Sequence, residues 1–250
     1  MKKLGVGIIG TGGIADTAHA PAINAVNETE LVGVLSRDKK RGKDFLDKHS
    51  SPHESVHATL NSFVENSRID LAIICTPDGL HYEQAKACLE AGKHVLLEKP
   101  MALTVDEARE LTTLAEKRGL KLAIGFHLRS HNGHIELRKK IESGVLGNLR
   151  HIRAIWAFSS YDDSNWRANE KMTKWWSLSA VGAHCLDQAR WFANDMKEYK
   201  QFTAVTANNT WNGPHDETAI ISGQFSSGVT LEVTSSVQFG PYNRLELFGD

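Results

Sequence analysis

The chain has 250 residues, 41% of them apolar and 24% charged, which is enough to bury a core in one large or two small domains and lies outside the range of disordered, collagenous or disulfide-scaffold sequences. Twenty-nine basic residues stand against 30 acidic ones, a formal charge of -1, so no overall field draws the chain to nucleic acid or to an anionic membrane, and neither is expected as a partner. The three cysteines, Cys75, Cys88 and Cys185, are odd in number and far apart, which reads as buried thiols in a reducing cytoplasm.

The first apolar run covers residues 6–9. Two lysines precede it, but it is short and meets Gly10, Gly12 and Gly13 in place of a cleavage site, so it reads as a strand and not as a leader. No apolar stretch reaches the roughly 18 to 20 residues of a membrane-spanning helix. Runs at 31–35, 71–75, 94–97 and 120–124 are nearly continuous in apolar residues and alternate with helical patterns, as buried parallel strands with crossover helices do. One helix is predicted from about 81 to 91, ending at Gly92. Another opens with a capping box of Thr104 and Glu107, carries Leu111 and Ala115 on one face, and stops at Gly119. Residues 1–125 are therefore expected to form a doubly wound parallel α/β sheet.

Beyond Gly125 the texture changes. A helix over 135–143 and a strand over 150–158 lead into a polar, tryptophan-rich stretch, 159–177. A helix over 180–192 is followed by β-branched runs at 202–207, 217–225, 229–235 and 244–248. These predict a second, α+β domain over 126–250 with an open, mainly antiparallel sheet. The sequence stops directly after the last run, from which an incomplete sheet with an unpaired edge is expected.

Gly10-Thr11-Gly12-Gly13-Ile14-Ala15 is a G-x-G-x-x-A element between a strand and a helix. A dinucleotide pyrophosphate needs backbone N–H groups at a helix start and no side chain where it approaches, and this element supplies both. At the end of the second run stand Ser36, Arg37 and Asp38. A small hydroxyl followed by guanidinium suits a 2'-phosphate and favours NADP(H), with NAD(H) as the alternative if Asp38 takes the ribose and Arg37 is merely solvated. His53-Glu54-Ser55-Val56-His57 matches H-E-x-x-H literally, but Ser50, Ser51 and Pro52 precede it and a strand-like 56–59 overlaps it, so it reads as coincidence. His127, His131 and His134 are separated by Asn132-Gly133 and read as a polar loop; no metal site is expected.

Two further strings stand out: Thr76-Pro77-Asp78-Gly79-Leu80-His81, and Gly92-Lys93-His94-Val95-Leu96-Leu97-Glu98-Lys99-Pro100. With the N-terminal Gly-x-Gly, with Asn165-Trp166-Arg167-Ala168 and with Gly182-Ala183-His184-Cys185-Leu186-Asp187, they resemble the glucose-fructose oxidoreductase, inositol dehydrogenase and MocA (Gfo/Idh/MocA) family across essentially the whole chain. The resemblance implies an NAD(P)-binding Rossmann domain and an α+β substrate domain whose open sheet forms a homo-oligomer. Substrate is held in the cleft between the domains, and hydride passes between nicotinamide and a sugar, polyol or related carbonyl compound.

On the same resemblance, Glu98 and Lys99 lie beside the nicotinamide and the Lys99–Pro100 peptide is cis. Lys99 donates or accepts the proton, because a neighbouring cation and desolvation both lower an ammonium pKa; the alternative is a surface lysine paired with Glu98. Thr76, Pro77 and His81 line the nicotinamide ribose, unless His81 makes a local hydrogen bond at its helix start. His184 is the catalytic or substrate-orienting histidine. Arg129 and Arg167 hold a hydroxyl, carboxylate or phosphate, and Trp166, Trp175 and Trp176 stack on a sugar or pack in the domain. Many members carry aspartate four residues before the histidine, where this chain has Ala180. That departure opens an alternative function, a dinucleotide-binding sensor with weakened or lost catalysis.

Overall fold

The computed structural model describes residues 2–51, 54–160, 163–194, 199–211 and 213–250. The chain divides into two units, Met1–Gly125 and Phe126–Asp250.

In the first unit six parallel strands, β1 (Leu4–Ile9), β2 (Thr29–Leu35), β3 (Ser55–His57), β4 (Leu71–Ile74), β5 (His94–Leu97) and β6 (Leu122–Ile124), lie in the order β3-β2-β1-β4-β5-β6. The order reverses between β1 and β4, where the carboxyl ends of the strands leave a crevice. Buried side chains fall into two clusters. One gathers Phe63, Ile74, Leu89, Leu97 and Leu111; the other gathers Val6, Ile8, Ala20, Val34 and Leu46. Burial on both faces is why these strands read as unbroken apolar runs.

The crossovers are α1 (Ala20–Ala25), α2 (Lys39–Lys48), α3 (Leu60–Val64), α4 (His81–Glu90) and α5 (Val105–Arg118). Helix α5 has the full capping box, with Thr104 accepting from the Glu107 N–H and Glu107 reaching back, and ends on left-handed Gly119. Between the glycine turn and α1 the chain makes a π-helical turn, Ala15–His19, which no local residue preference announces.

The second unit holds α6 (Asn132–Glu142), α7 (Ala183–Phe192) and strands β7 (Leu149–Ala157), β8 (Tyr199–Ala207), β9 (Thr218–Phe225), β10 (Thr230–Ser236) and β11 (Tyr242–Gly249), ordered β11-β7-β10-β9-β8. Pairing is antiparallel except between β7 and β10, which run parallel, so the sheet is mixed. A parallel neighbour needs a long connection, here everything from α7 through β9. One face packs Ile152, Ala154, Leu231, Val233 and Phe225 on Cys185, Ala189 and Phe192 of α7. The other carries a charged ladder in which Arg153 meets Glu232 and Glu246, and Arg244 meets Glu246.

Regular helix α7 begins three residues later than the sequence pattern predicts, after a π-helical turn at Leu178–Gly182. That turn comes very close to β10: a Cβ on Gly182 would lie 2.9 Å from Ser235 Oγ. No helix among the described residues is long and apolar enough to cross a membrane.

Candidate functional site

In the first unit the residues singled out by the sequence gather on the loops that follow β1, β2, β4 and β5. Gly10 has φ +91°, and a Cβ there would meet Thr76 Cγ2 at 3.0 Å and the Cys75 carbonyl at 3.1 Å, so strain and space both require glycine. Gly12 and Gly13 are different, because a Cβ on either would meet nothing within 4 Å. Thr11, Gly12 and Gly13 line a pocket of about 350 Å³ together with Asp16, Arg41, Asp44, Phe45 and Lys48. Ile14 is exposed at the start of the helical segment.

After β2, Ser36 is buried and its hydroxyl donates to the Asp38 carbonyl at 2.8 Å, while Arg37 is exposed. Asp38 caps α2 by accepting from the Arg41 N–H at 3.0 Å, which commits one of its carboxylate oxygens to the helix. Arg41 extends back to the glycine turn and donates to the Thr11 carbonyl at 2.8 Å. Arg41, and not Arg37, is the guanidinium among the described residues lining this pocket, and sequence reasoning missed it because only the fold brings residue 41 to residue 11. Nearby, hydrogen bonds from Lys48 and His49 hold the Asp16 carboxyl below its ordinary value.

After β5, Glu98 sits 2.8 Å from Nε2 of His19, with its carboxyl against Gly125, where a Cβ would lie 3.1 Å from it. Burial pushes the Glu98 carboxyl up, but the His19 hydrogen bond and charge, the Lys99 charge and the Lys99 backbone N–H outweigh it and hold the group below the usual range. Lys99 is only 9% exposed, and its peptide to Pro100 is cis. It is a buried lysine, so the surface alternative fails. His19 was not legible in sequence: it lies 79 residues from Glu98, on the π-helical turn.

His81 requires a correction. Expected to touch the nicotinamide ribose, it is fully buried, with Nε2 2.9 Å from the Thr76 carbonyl and Nδ1 2.7 Å from the Pro100 carbonyl. Both ring nitrogens face protein, so His81 ties the Thr76-Pro77 turn to the Lys99-Pro100 loop and has no edge to offer a ligand. Thr76 donates its hydroxyl to Gln84 at 2.5 Å, and Pro77 opens the short 3-10 turn Asp78–Leu80.

In the second unit His184 is 5% exposed. Its ring stacks on Trp156 at 5.3 Å, and Phe126 and His127 meet it edge-on at 6.0 and 4.8 Å. Ala180 lies on the π-helical turn that precedes α7. Arg129 also departs from expectation: its Nε and Nη2 both donate to Asp187, at 2.5 to 3.1 Å, which raises the guanidinium pKa further. Arg129 braces α7 and is not an open anion clamp. Arg167 lies 4.1 Å over the Trp166 ring, and Asn165 caps that turn. Trp175 is exposed, whereas Trp176 is buried and stacks on Trp211 at 4.8 Å.

Asp216 was not foreseen. Buried, it accepts from the N–H groups of Trp176 and Leu178 and from the Ser177 hydroxyl, and so fixes the start of the turn leading to His184. His53, half of the literal H-E-x-x-H, falls outside the described residues. Among the described residues no group of three or more His, Cys, Asp or Glu is arranged to hold a metal ion. Helix α6 begins at Asn132, so the Asn-Gly pair expected to interrupt the 127–134 histidines is its first turn, and His131 and His134 make a ring contact at 4.9 Å.

Residues 4–126 match the model of an oxidoreductase family with an NAD-binding Rossmann fold, and residues 134–250 match the GFO/IDH/MocA C-terminal domain. The chain belongs to the Gfo/Idh/MocA oxidoreductase family. This Gfo/Idh/MocA chain is 32% identical to the scyllo-inositol 2-dehydrogenase (NADP(+)) of Bacillus subtilis, over 83% of this chain and 55% of that protein. It is 32% identical to the D-glucoside 3-dehydrogenase of Escherichia coli, over 98% of this chain and 67% of that protein. The chain thus spans between about half and two thirds of the length of these relatives. Among solved structures, the aldose-aldose oxidoreductase of Caulobacter crescentus superposes with a TM-score of 0.91 at 27% identity, over 99% of this chain and 75% of that one.

Proposed function

We propose that the protein is an NADP(H)-dependent oxidoreductase that passes hydride between the nicotinamide and a carbinol carbon of a sugar, polyol or related carbonyl compound. The observation that carries this reading is the pair Gly12 and Gly13. Packing gives no reason for glycine at either position, whereas a pyrophosphate lying against backbone N–H groups does. The residues present fit such a cofactor: the turn Gly10-Thr11-Gly12-Gly13-Ile14 for the pyrophosphate, Arg37 and Arg41 for a 2'-phosphate, with Ser36 shaping the loop between them through its bond to the Asp38 carbonyl, and Thr76, Pro77 and Glu98 for the nicotinamide end. When bound, the nicotinamide supplies a carbon that gives or takes hydride.

The protein's own groups then manage the proton. Lys99 is buried in a loop held on one side by the Glu98–His19 pair and on the other by the His81 bond to Pro100. In this reading its ammonium donates the proton to the substrate oxygen during reduction and its amine accepts it during oxidation. His184, held by the flat face of Trp156, orients that oxygen, and Arg167 with Trp166 sets which hydroxyls are accepted.

The sensor reading rests on Ala180, which cannot supply the carboxylate many members place before the histidine. It also rests on the burial of His184 among rings. Titration with NADPH and NADH, followed by absorbance assays over a panel of sugars, polyols and their keto forms, separates the two readings. Tight NADPH binding with turnover of a panel member is the expected result, and tight binding without turnover selects the sensor. Arg37→Ala is expected to weaken NADPH binding about tenfold or more and leave NADH nearly unchanged; equal affinities in both forms would remove the NADP preference.

The second sheet is also proposed to pair with a second copy of the chain. Val205 (69% exposed) and Ile220 (45%) are cross-strand partners on the face that carries the charged ladder, so apolar and paired charged surface lie side by side.

A further inference from the structure

His81 is the first residue of α4 and is fully buried. Its Nδ1 lies 2.7 Å from the Pro100 carbonyl oxygen and its Nε2 lies 2.9 Å from the Thr76 carbonyl oxygen. A carbonyl oxygen can only accept, so each contact is a hydrogen bond only where the ring nitrogen carries a hydrogen. Neutral imidazole has one N–H in either tautomer, and would set the lone pair of its other nitrogen against an oxygen at bonding distance. Imidazolium alone donates at both ends. The 2.7 Å separation is at the short end of the N–H···O range, where bonds from charged donors fall.

Two effects oppose a cation here, burial and the N–H groups of the α4 start. Two carbonyl acceptors answer the first, because charge-assisted bonds are stronger than neutral ones. Glu83, in the first turn of α4, answers the second. The segments that His81 joins carry two acids, the buried Asp78 and Glu98, against one base, Lys99. Glu98 is held below the usual carboxylate range and is ionised at neutral pH. Other groups on the surrounding elements are already matched or neutral. Glu107 closes the α5 cap, Glu110 of α5 binds Lys86 and Tyr82, and His94 of β5 accepts from the Lys121 N–H. Burial, with the Glu98 charge, pushes the Cys75 thiol far up, so it too stays neutral.

The two acceptors belong to the two loops that the proposed chemistry needs. Thr76 begins the turn after β4, and Pro100 directly follows Lys99. Gln84, one turn along α4, also takes the Thr76 hydroxyl, so the start of one helix holds Thr76 by carbonyl and side chain together. Because each loop is bonded to the same ring, neither moves independently of the other.

We propose that His81 is held as a doubly protonated imidazolium and is a positioning residue, clamping the Thr76-Pro77 turn to the Lys99-Pro100 loop. Its fixed positive charge beside the Lys99 loop favours the neutral amine of Lys99, the form that accepts a proton during oxidation. This deepens the oxidoreductase reading, and rests on it for what the two loops do but not for the proton count on the ring.

The test is NMR of the histidine-ring nitrogens in the whole chain, with the His81 ring assigned through its own backbone amide. At mildly alkaline pH, where an ordinary histidine is neutral, both His81 nitrogens are expected to be protonated. One bare ring nitrogen under those conditions would overturn the proposal. NADPH titration then reads the clamp: affinity should fall as pH rises through the change in the His81 signal. His81→Gln donates from one nitrogen only, and should bind NADPH about tenfold more weakly, with no pH dependence over that range. Parent-like affinity in a folded His81→Gln, or an affinity in the parent that ignores the His81 transition, would refute the positioning role. Should the variant not fold, the parent titration decides. A parent that binds no NADPH strikes the cofactor reading instead, and the ring signals still decide the protonation.

Discussion

Lys99 and Glu98 are adjacent in sequence, and the fold withdraws both from solvent after a central strand. The carboxylate has His19 and a backbone N–H, and Lys99 is only 9% exposed. If Lys99 moves the proton, Lys99→Ala should lower kcat by about 10²–10⁴-fold and leave NADPH affinity within a few-fold, measured by single-turnover absorbance and by titration. A variant with normal turnover would return Lys99 to a structural role.

The His19–Glu98 pair has its own pH signature. Because Glu98 is held below its ordinary 4.5, its contribution to stability is present above that value and is lost as pH falls through the lower folded-state value. His19→Ala should therefore melt lower than the parent at neutral pH. The gap should close on acidification below 4.5, which parallel thermal scans would show. A gap that does not vary with pH would mean that the histidine contributes packing alone.

At the scale of elements, two kinds of helix start coexist. Helix α5 is closed by a local capping box within four residues, which the sequence displays openly. The turn leading to α7 is capped by Asp216, from a loop some 40 residues away, whose one carboxylate takes three hydrogen bonds. Thr104→Ala should cost about 1 kcal/mol, whereas Asp216→Ala should cost roughly 2–4 kcal/mol because it leaves buried N–H groups unmet. Chemical denaturation of the two variants gives the comparison directly. Equal losses would show that the long-range cap is no more than an ordinary one. Both π-helical turns, at Ala15–His19 and Leu178–Gly182, lie where a site residue is presented, and each inserts one residue into a helical register that sequence periodicity assumes to be regular.

For the molecule as a whole, the outward face of the second sheet is the feature with the widest consequence. On it a ladder of paired charges lies beside the exposed cross-strand pair Val205 and Ile220. If it joins two copies, Val205→Glu with Ile220→Lys should shift the species seen by light scattering from dimer or larger to monomer without loss of the folded core. A parent chain that is already monomeric at all concentrations would refute the association. The thiols fit the same picture of a closed interior: burial pushes Cys88 and Cys185 each up to about 12, so neither is poised to react.

The sequence by itself determined what depends on neighbours in the chain. Unbroken apolar runs specified parallel strands, the capping box and Gly119 bounded α5, and the glycine turn, Glu98-Lys99-Pro100 and His184 marked the family, because each is a contiguous string whose chemistry is local. Pairs joined only by folding were decided by tertiary structure: Arg41 at Thr11, His19 on Glu98, Arg129 on Asp187, and both ring nitrogens of His81 on backbone carbonyls. So was the parallel seam between β7 and β10, since strand patterning reports which face is buried but not which neighbour is taken. The stacking of Trp176 on Trp211 belongs to the same class, since the two indoles come from separate segments whose backbone N–H groups are held by Asp216 and Glu217.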